Sequence, residues 1–420
     1  MTRPTLSPQR RRALQLLGVT AFDWALASRY ANAQSPAVPG PEQLRIGYQK
    51  SAVNLVILKQ QGVLEKRFPG TRVSWLEFPA GPQLLEALSV GSLEFGLTGD
   101  SPPVFAQAAG KDLLYVGAEP PKPDSSALLV LKDSPLRTLP DLKGRRIAVQ
   151  KGSSAHYLLV KAVERAGLQW ADIQPVYLAP ADARAAFERK SVDAWAIWDP
   201  FYAATELAIQ PRVLATGRGG PVHPIFARCV AMPKGQALGA KRSWGAAPAR
   251  LGNAADGSLA SQPGGKAAPA PLLVVALLAK APGLGVVTRL DWRGGDSLRT
   301  GKNWVNRPLA SSNNSFYLAA RPFVQAHPQV LRVLFDELSR ADRLAQEARK
   351  DAIKLIADFS GLDAGVVSLF IQRRPSSPVD VLGPTTVADQ QRVADAFFKL
   401  GLIPKPVNVA DIVWRPAARS

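Results

Sequence analysis

The feature that most constrains this chain is a repeated alternation of short apolar runs with amphipathic stretches, most of them closed by a glycine. Residues 44–48 (LRIGY) form an apolar run, 54–66 carry helical spacing interrupted at Gly62, and 72–77 alternate with a period of two. A helical stretch over 83–90 stops at Gly91, and another apolar run covers 93–97. Period-two runs read as strands, period-3.6 runs as helices, and glycines mark the stops. The pattern restarts after Pro140, with a strand at 143–149, a helix at 154–166 closed by Gly167, a strand at 173–178, a helix at 181–189 and a buried-type strand, AWAIW, at 194–198. Such alternation is satisfied by parallel sheets with crossover helices. Two units in tandem predict an α/β chain of two lobes. Open α/β sheets take ligands beyond the carboxyl ends of their strands, so facing lobes predict one shared cleft. After Ser315 the same texture returns, with a long helical region over 328–357, a stop at Ser360-Gly361, and a helix over 387–400 ended by Gly401.

At 420 residues the chain has length for more than one core. Its formal charge of +19 resembles a nucleic-acid signature until it is divided along the sequence. Residues 1–33 carry +4 and residues 220–310 carry +9, which leaves only +6 for everything else. The basic balance is local, and nucleic-acid binding is excluded as the reading of the whole. Beyond the N-terminus no apolar run reaches the 18 or more residues that a membrane-spanning helix needs.

The N-terminus has the plan of an export signal over residues 1–33. Arg10, Arg11 and Arg12 precede a short apolar stretch over 14–22, and Ala31-Asn32-Ala33 offers a small-x-small cleavage site. The triple arginine resembles a twin-arginine signal, although Ala13 stands where a bulky apolar residue is usual. Residues 34–43 then read as a linker. Cys229 is the only cysteine, so there is neither a disulfide framework nor a cysteine pair for metal, and none lies near residue 34 to carry a lipid anchor. A periplasmic location is expected.

Residues 220–310 break the pattern. They hold 39 Ala, Gly or Pro residues and three acidic ones, with no sustained period of 2 or 3.6. Composition of this kind buries too little apolar surface to offset chain entropy, which predicts a poorly ordered insert.

The segments on either side resemble the aliphatic-sulfonate-binding proteins of ABC importers. The resemblance is carried by LRIGYQK (44–50), LEKRFPG (64–70), VSWLEFPAGPQLLEAL (73–88), TGDSPPVFAQAAG (98–110) and YVGAEPPKP (115–123). It continues through DLKGRRIAVQKGSSAHYLL (141–159), PADARAAFERKSVDAWAIWDPFYAA (180–204) and SFYLAARPF (315–323). It covers 44–219 and 311–420, whereas 220–310 is additional to the family pattern. The resemblance implies a two-lobed periplasmic-binding-protein fold of type II. Lobe 1 would begin over 44–127 and lobe 2 span 128–219, while 311–420 would supply the return crossover and the helices completing the lobes. It also implies capture of an alkanesulfonate by a monomer, hinge closure, and delivery to an ABC permease and, through it, its ATPase. Expected crossovers are 127–132 and 316–321. No cofactor, metal or catalytic residue is implied.

An alkanesulfonate is a permanent monoanion with three acceptor oxygens and an apolar tail. Its site needs converging donors and apolar walls; helix N-termini, with unpaired N–H groups and a positive partial charge, suit the head group. Two strand-to-helix turns fit this role, one per lobe: Thr98, Gly99 and Asp100 before Pro102-Pro103, and Ser153, Ser154, Ala155 and His156 after Gly152. Gly99 lets a ligand approach the backbone, and Ser153 or Ser154 caps the helix or binds the anion. His156 reads as a helix-start residue. Trp198 is placed to wall the alkyl tail, Asp199 to orient a donor or a hinge, and Gln49 to donate from its amide. Glu119 falls near the crossover, and Asn313 and Asn314 adjoin the return strand.

Other readings of the same fold stay open at this level. Taurine would need a carboxylate for its ammonium, which Asp100 or Asp199 supplies; nitrate and a thiamine precursor are further candidates, as is a copy inactivated by its insert. An enzyme is disfavoured: desulfinase relatives use a cysteine near the first strand, absent from 44–60, and pyrimidine-synthase relatives use histidine-rich sites, whereas the three histidines are His156, His223 and His327.

Overall fold

A computed structural model describes residues 38–218, 309 and 311–416, all of which fall within one of the two contact units of the chain. The first lobe starts with β1 (Gln43–Tyr48), α1 (Val53–Gln61), α2 (Val63–Arg67), β2 (Arg72–Glu77) and α3 (Gly81–Ser89). It continues with β3 (Phe95–Gly99), α4 (Ser101–Ala108) and β4 (Leu113–Glu119). After a crossing at 120–125, the second lobe comprises β5 (Ser126–Val130), β6 (Arg146–Val149), α5 (Ser154–Arg165) and β7 (Gln174–Tyr177). Helix α6 (Pro180–Glu188), β8 (Ala194–Trp198), α7 (Phe201–Ile209) and β9 (Arg212–Thr216) complete it. Strand β10 (Ser315–Ala320) returns to the first sheet, and α8 (Arg321–Ala326), α9 (Pro328–Glu347), α10 (Arg349–Ser360), α11 (Ala364–Arg373) and α12 (Pro384–Lys399) follow.

The sheets share one plan. The first has the order β2-β1-β3-β10-β4 and the second β7-β6-β8-β5-β9. In each, three parallel strands are followed by one antiparallel strand that arrives through a crossing, β10 in the first and β5 in the second. Strand β10 pairs along its length with β3 and β4, so it is fully docked although it follows residues 219–308.

Burial follows the sequence periods. Leu44 and Ile46 of β1 and Leu55, Val56 and Ile57 of α1 form one core with Leu331 and Leu334 of α9 and Phe397 of α12. The second sheet is covered on both faces, by α5 through Leu158 and Leu159 and by α6 through Phe187, which packs against the fully buried Trp195.

Several expectations need correction. Strand β3 starts two residues later than the apolar run and takes in Thr98 and Gly99, because its end is set by pairing with Phe316 and Ser315. The chain crosses at 120–125 rather than 127–132. Residues of β5, Ala127 included, pair only with β8 and β9 of the second sheet. Likewise Phe316 to Ala320 lie wholly within the first sheet. The 328–357 stretch is two helices broken at Ala348, whose φ of −109° and ψ of 51° leave the helical region. Within the 220–310 stretch, Leu309 is buried in the core of the second lobe. The export signal expected over residues 1–33 and the rest of the 220–310 stretch lie outside the described residues.

Candidate functional site

The carboxyl ends of β1, β3, β6 and β8 face one cleft, because both sheets turn the same ends of their parallel strands toward it. The cleft, partly open to solvent, is lined by Gln49, Ser51, Gly81, Leu97, Thr98, Gly99 and Pro102 from the first lobe. Ser153, Ser154, Trp198 and Asp199 line it from the second, Lys122, Ser125, Asn313 and Ser315 from the crossings and β10, and Phe370 and Arg374 from α11 and the residue after it.

Helix starts supply part of its field. Ser51 precedes α1, Gly81 opens α3, and Ser153 and Ser154 stand at the start of α5. Each helix start has N–H groups without an intrahelical acceptor and a positive partial charge. Ser153 is the N-cap of α5, its Oγ accepting from the His156 N–H at 3.3 Å. At α4 the donors are fewer, since Pro102 and Pro103 in its first turn have no N–H.

Two cations give the cleft its charge. Lys122 is 9% exposed and Arg374 6%, and both are tied into a buried network around Glu119. Lys122 Nζ donates to Glu119, Arg374 Nη2 lies 3.6 Å from Glu119 Oε1, and Tyr317 donates to the same oxygen at 2.9 Å. Arg374 also donates to Asp342 at 2.7 Å and to Asn54 at 3.0 Å. Burial pushes the Glu119 carboxyl up, but Lys122 and Arg374 overcome it and hold Glu119 below the usual carboxylate range. The crossings brace this group. Asn313 donates to the Lys122 carbonyl at 3.0 Å, and the Lys122 N–H donates to the Ser312 carbonyl at 2.9 Å. A Cβ on Gly217, just after β9, would lie 2.3 Å from the Ser311 carbonyl and 2.7 Å from the Pro123 carbonyl, so only glycine fits between these segments.

Asp199 forms the opposite edge. Its Oδ1 accepts from the Ala203 N–H at 3.0 Å and from Arg373 Nη1 at 3.0 Å, while its buried Oδ2 has no hydrogen-bond partner among the described residues. Burial pushes its carboxyl up to about 7, Arg373 opposing. Arg373 also pairs with Glu206 and lies over the Tyr202 ring at 3.8 Å. Leu97, Pro102, Trp198 and Phe370 give the cleft an apolar side, with Trp198 set edge-on to Phe201 at 6.0 Å.

Of the residues singled out in the sequence, Gln49, Thr98, Gly99, Ser153, Ser154, Trp198, Asp199 and Asn313 come together here. The Gln49 amide donates to the Leu97 carbonyl at 3.2 Å. Asp100, Ala155, His156, Glu119 and Asn314 are buried behind the cleft wall and do not line it. Asp100 is held by the hydroxyls of Ser101 and Ser154, and burial pushes its carboxyl up to about 6. The role of Gly99 also changes. Its missing side chain makes room for Ser154 of the other lobe, whose Oγ would stand 1.8 Å from a Cβ there. Sequence reasoning missed Lys122, Arg373 and Arg374. The available signal was the pair Arg373-Arg374 at the end of the helically spaced stretch 364–373.

Comparison with known proteins bears on the family and the fold. The NMT1/THI5-like family model matches residues 73–218. A protein of Escherichia coli K12 named as an aliphatic sulfonates-binding protein is 38% identical over 90% of this chain and 91% of its own length. The alkanesulfonate-binding protein SsuA of Xanthomonas axonopodis pv. citri, solved with MOPS bound, is 38% identical, with a TM-score of 0.65 over 90% of this chain and all of that one. The periplasmic aliphatic sulphonate binding protein SsuA of E. coli is 37% identical, with a TM-score of 0.64 over 91% of this chain and 94% of that one. The fold is that of these binding proteins, and the chain belongs to the aliphatic-sulfonate-binding family.

Proposed function

We propose that this protein captures an alkanesulfonate between its lobes in the periplasm and presents it to an ABC permease and, through it, to the ATPase. The observation that carries the reading is one cleft lined by Lys122, Arg374 and three helix starts together with apolar Leu97, Pro102, Trp198 and Phe370. A sulfonate keeps its charge at every physiological pH, so fixed donors and cations suffice to hold it. Binding rather than catalysis is favoured because the ionisable groups here are committed to structure: Lys122 to Glu119, Arg374 to Asp342, and Arg373 to Asp199. The docking of β10 between β3 and β4 supports a binding-competent chain rather than one disabled by residues 220–310.

The proposed capture has two parts. The anion enters against the first lobe and the crossings, where Gln49, Thr98 and Lys122 sit. Ser153 and Ser154 then arrive with the second lobe and shift the open–closed population toward closed. Among alkanesulfonates, the apolar wall favours chains of several carbons over methanesulfonate. A thermal-shift panel of methane-, ethane- and butanesulfonate, taurine and nitrate tests the reading. Stabilisation by sulfonates, greatest for butanesulfonate, is expected; stabilisation by nitrate alone would replace it.

A further inference from the structure

His156 does not touch the cleft, yet its ring sits at the seam that closure must make. It is fully buried. Phe105 of α4 and Phe397 of α12, on the first-lobe side, lie 6.2 and 5.3 Å from it between ring centroids. Trp170 and Tyr177, on the second-lobe side, lie 5.3 and 5.6 Å away. The Nδ1 atom accepts a hydrogen bond from the Gly152 N–H at 3.1 Å, inside the turn that presents Ser153 and Ser154. Nε2 has no hydrogen-bond partner among the described residues. An acceptor at Nδ1 requires the proton on Nε2, which leaves a neutral ring in an aromatic box.

We propose that His156 is a positioning residue of the anion-binding turn and that closing the cleft requires its neutral ring, so that ligand capture weakens as pH falls. The argument rests on the sulfonate-capture reading above. An imidazolium would lose the Gly152 hydrogen bond, because Nδ1 would become a donor facing a donor. It would also lose its hydration when Phe105 and Phe397 close over it. Two of the four walls of the box belong to the first lobe, so opening restores water to the ring and lets it take a proton. The groups around the box do not compensate a charge on it. Helix α4 has no titratable side chain, α12 carries the Asp389–Arg392 ion pair, Asp395 and Lys399, the turn of Trp170 carries Asp172, β7 ends in Tyr177, and Lys151 lies 5.6 Å from the Tyr177 ring centroid. Burial first, and then Lys151, push the ring down to about 3 in the closed form.

The sign follows. Above the free-ring value of about 6.5 the ring is neutral in both forms and costs nothing; below it the open form holds a proton that closure must expel. Asp100 and Asp199 are pushed the other way by burial, so the wild-type profile alone would mix opposing contributions. His156→Asn separates them, since Asn keeps an acceptor for the Gly152 N–H and does not titrate.

The experiment is calorimetric titration of the full chain with ethanesulfonate at pH 7.5, 6.5, 5.5 and 5.0, wild type against H156N. The ratio of wild-type to H156N Kd is expected to rise about 30-fold between pH 7.5 and 5.0, tenfold per unit below the free-ring value. In buffers of different ionisation enthalpy at pH 6.0, wild type is expected to release about 0.8 proton on binding and H156N much less. Should H156N fail to fold, ring NMR of the wild type decides, because the chain has only three histidines. The His156 signal is expected to titrate in the free protein and to stay neutral to below pH 5 with ethanesulfonate. Parallel pH profiles, or a ring that titrates alike with and without ligand, would overturn the inference while leaving sulfonate capture intact. No binding at any pH would overturn both.

Discussion

Ser154 Oγ of the second lobe stands where a side chain on Gly99 of the first would begin, 1.8 Å from the position of its Cβ. The lobes therefore meet through a missing side chain, and both residues sit at the carboxyl end of the strand or the amino end of the helix that frames the cleft. The proposed closure, not only ligand contact, then depends on residue 99 being glycine.

Substitution there is graded. Gly99→Ala displaces Ser154 Oγ from Asp100 and is expected to weaken ethanesulfonate binding about tenfold, or about 1.4 kcal/mol. Gly99→Val cannot be relieved by turning one hydroxyl and is expected to hold the lobes apart. Position 99 lies in a strand at ordinary backbone angles, so thermal stability should stay near that of wild type. Small-angle scattering with and without ligand reads the outcome; ligand-induced compaction in Gly99→Val would contradict it.

Lys122 and Glu119 separate binding from folding. Removing one partner of a buried ion pair strands the other, so Lys122→Met is expected to lower stability by about 3 kcal/mol as well as affinity. Adding Glu119→Gln should restore much of the stability, measured by urea unfolding, without restoring ethanesulfonate binding. Recovery of binding in the double variant would show that Lys122 does not serve the ligand.

Asp199 gives a pH signature. Its folded carboxyl lies near 7, above its unfolded value, so its contribution to stability is fully present below about 4 and is lost as pH rises through 7. Asp199→Asn removes that slope. The stability of the variant relative to wild type is expected to rise between pH 4 and 7 in denaturant titrations, and a constant difference would contradict the raised carboxyl.

Trp198 is expected to read the tail. Each methylene buried against it should strengthen binding by about 0.8 kcal/mol, close to fourfold. Trp198→Ala should flatten the gain from methane- to butanesulfonate and leave methanesulfonate nearly unchanged. An equal loss for all three chain lengths would place the tail elsewhere.

Much of this architecture was legible because burial follows period. AWAIW reads as a strand covered on both faces and is one, and Gly62 interrupts the first helical stretch where α1 gives way to α2. What was illegible is long-range. Pairing with β10 fixes the end of β3, so Thr98 and Gly99 read as loop residues. Arg373 and Arg374 meet Asp199, Glu119 and Asn54 only after folding brings distant segments together. Lys122 gave no sign of its role, since a lysine among prolines reads as a solvated turn until Glu119 and Asn313 are seen around it.

The most direct test of sulfonate capture is isothermal titration of the full chain with ethanesulfonate at pH 7.5, beside propionate as a carboxylate of similar size. The account predicts one site per chain with a Kd of about 1 μM or tighter for the sulfonate, and far weaker binding of propionate. A folded sample that gives no heat at millimolar ethanesulfonate would contradict it.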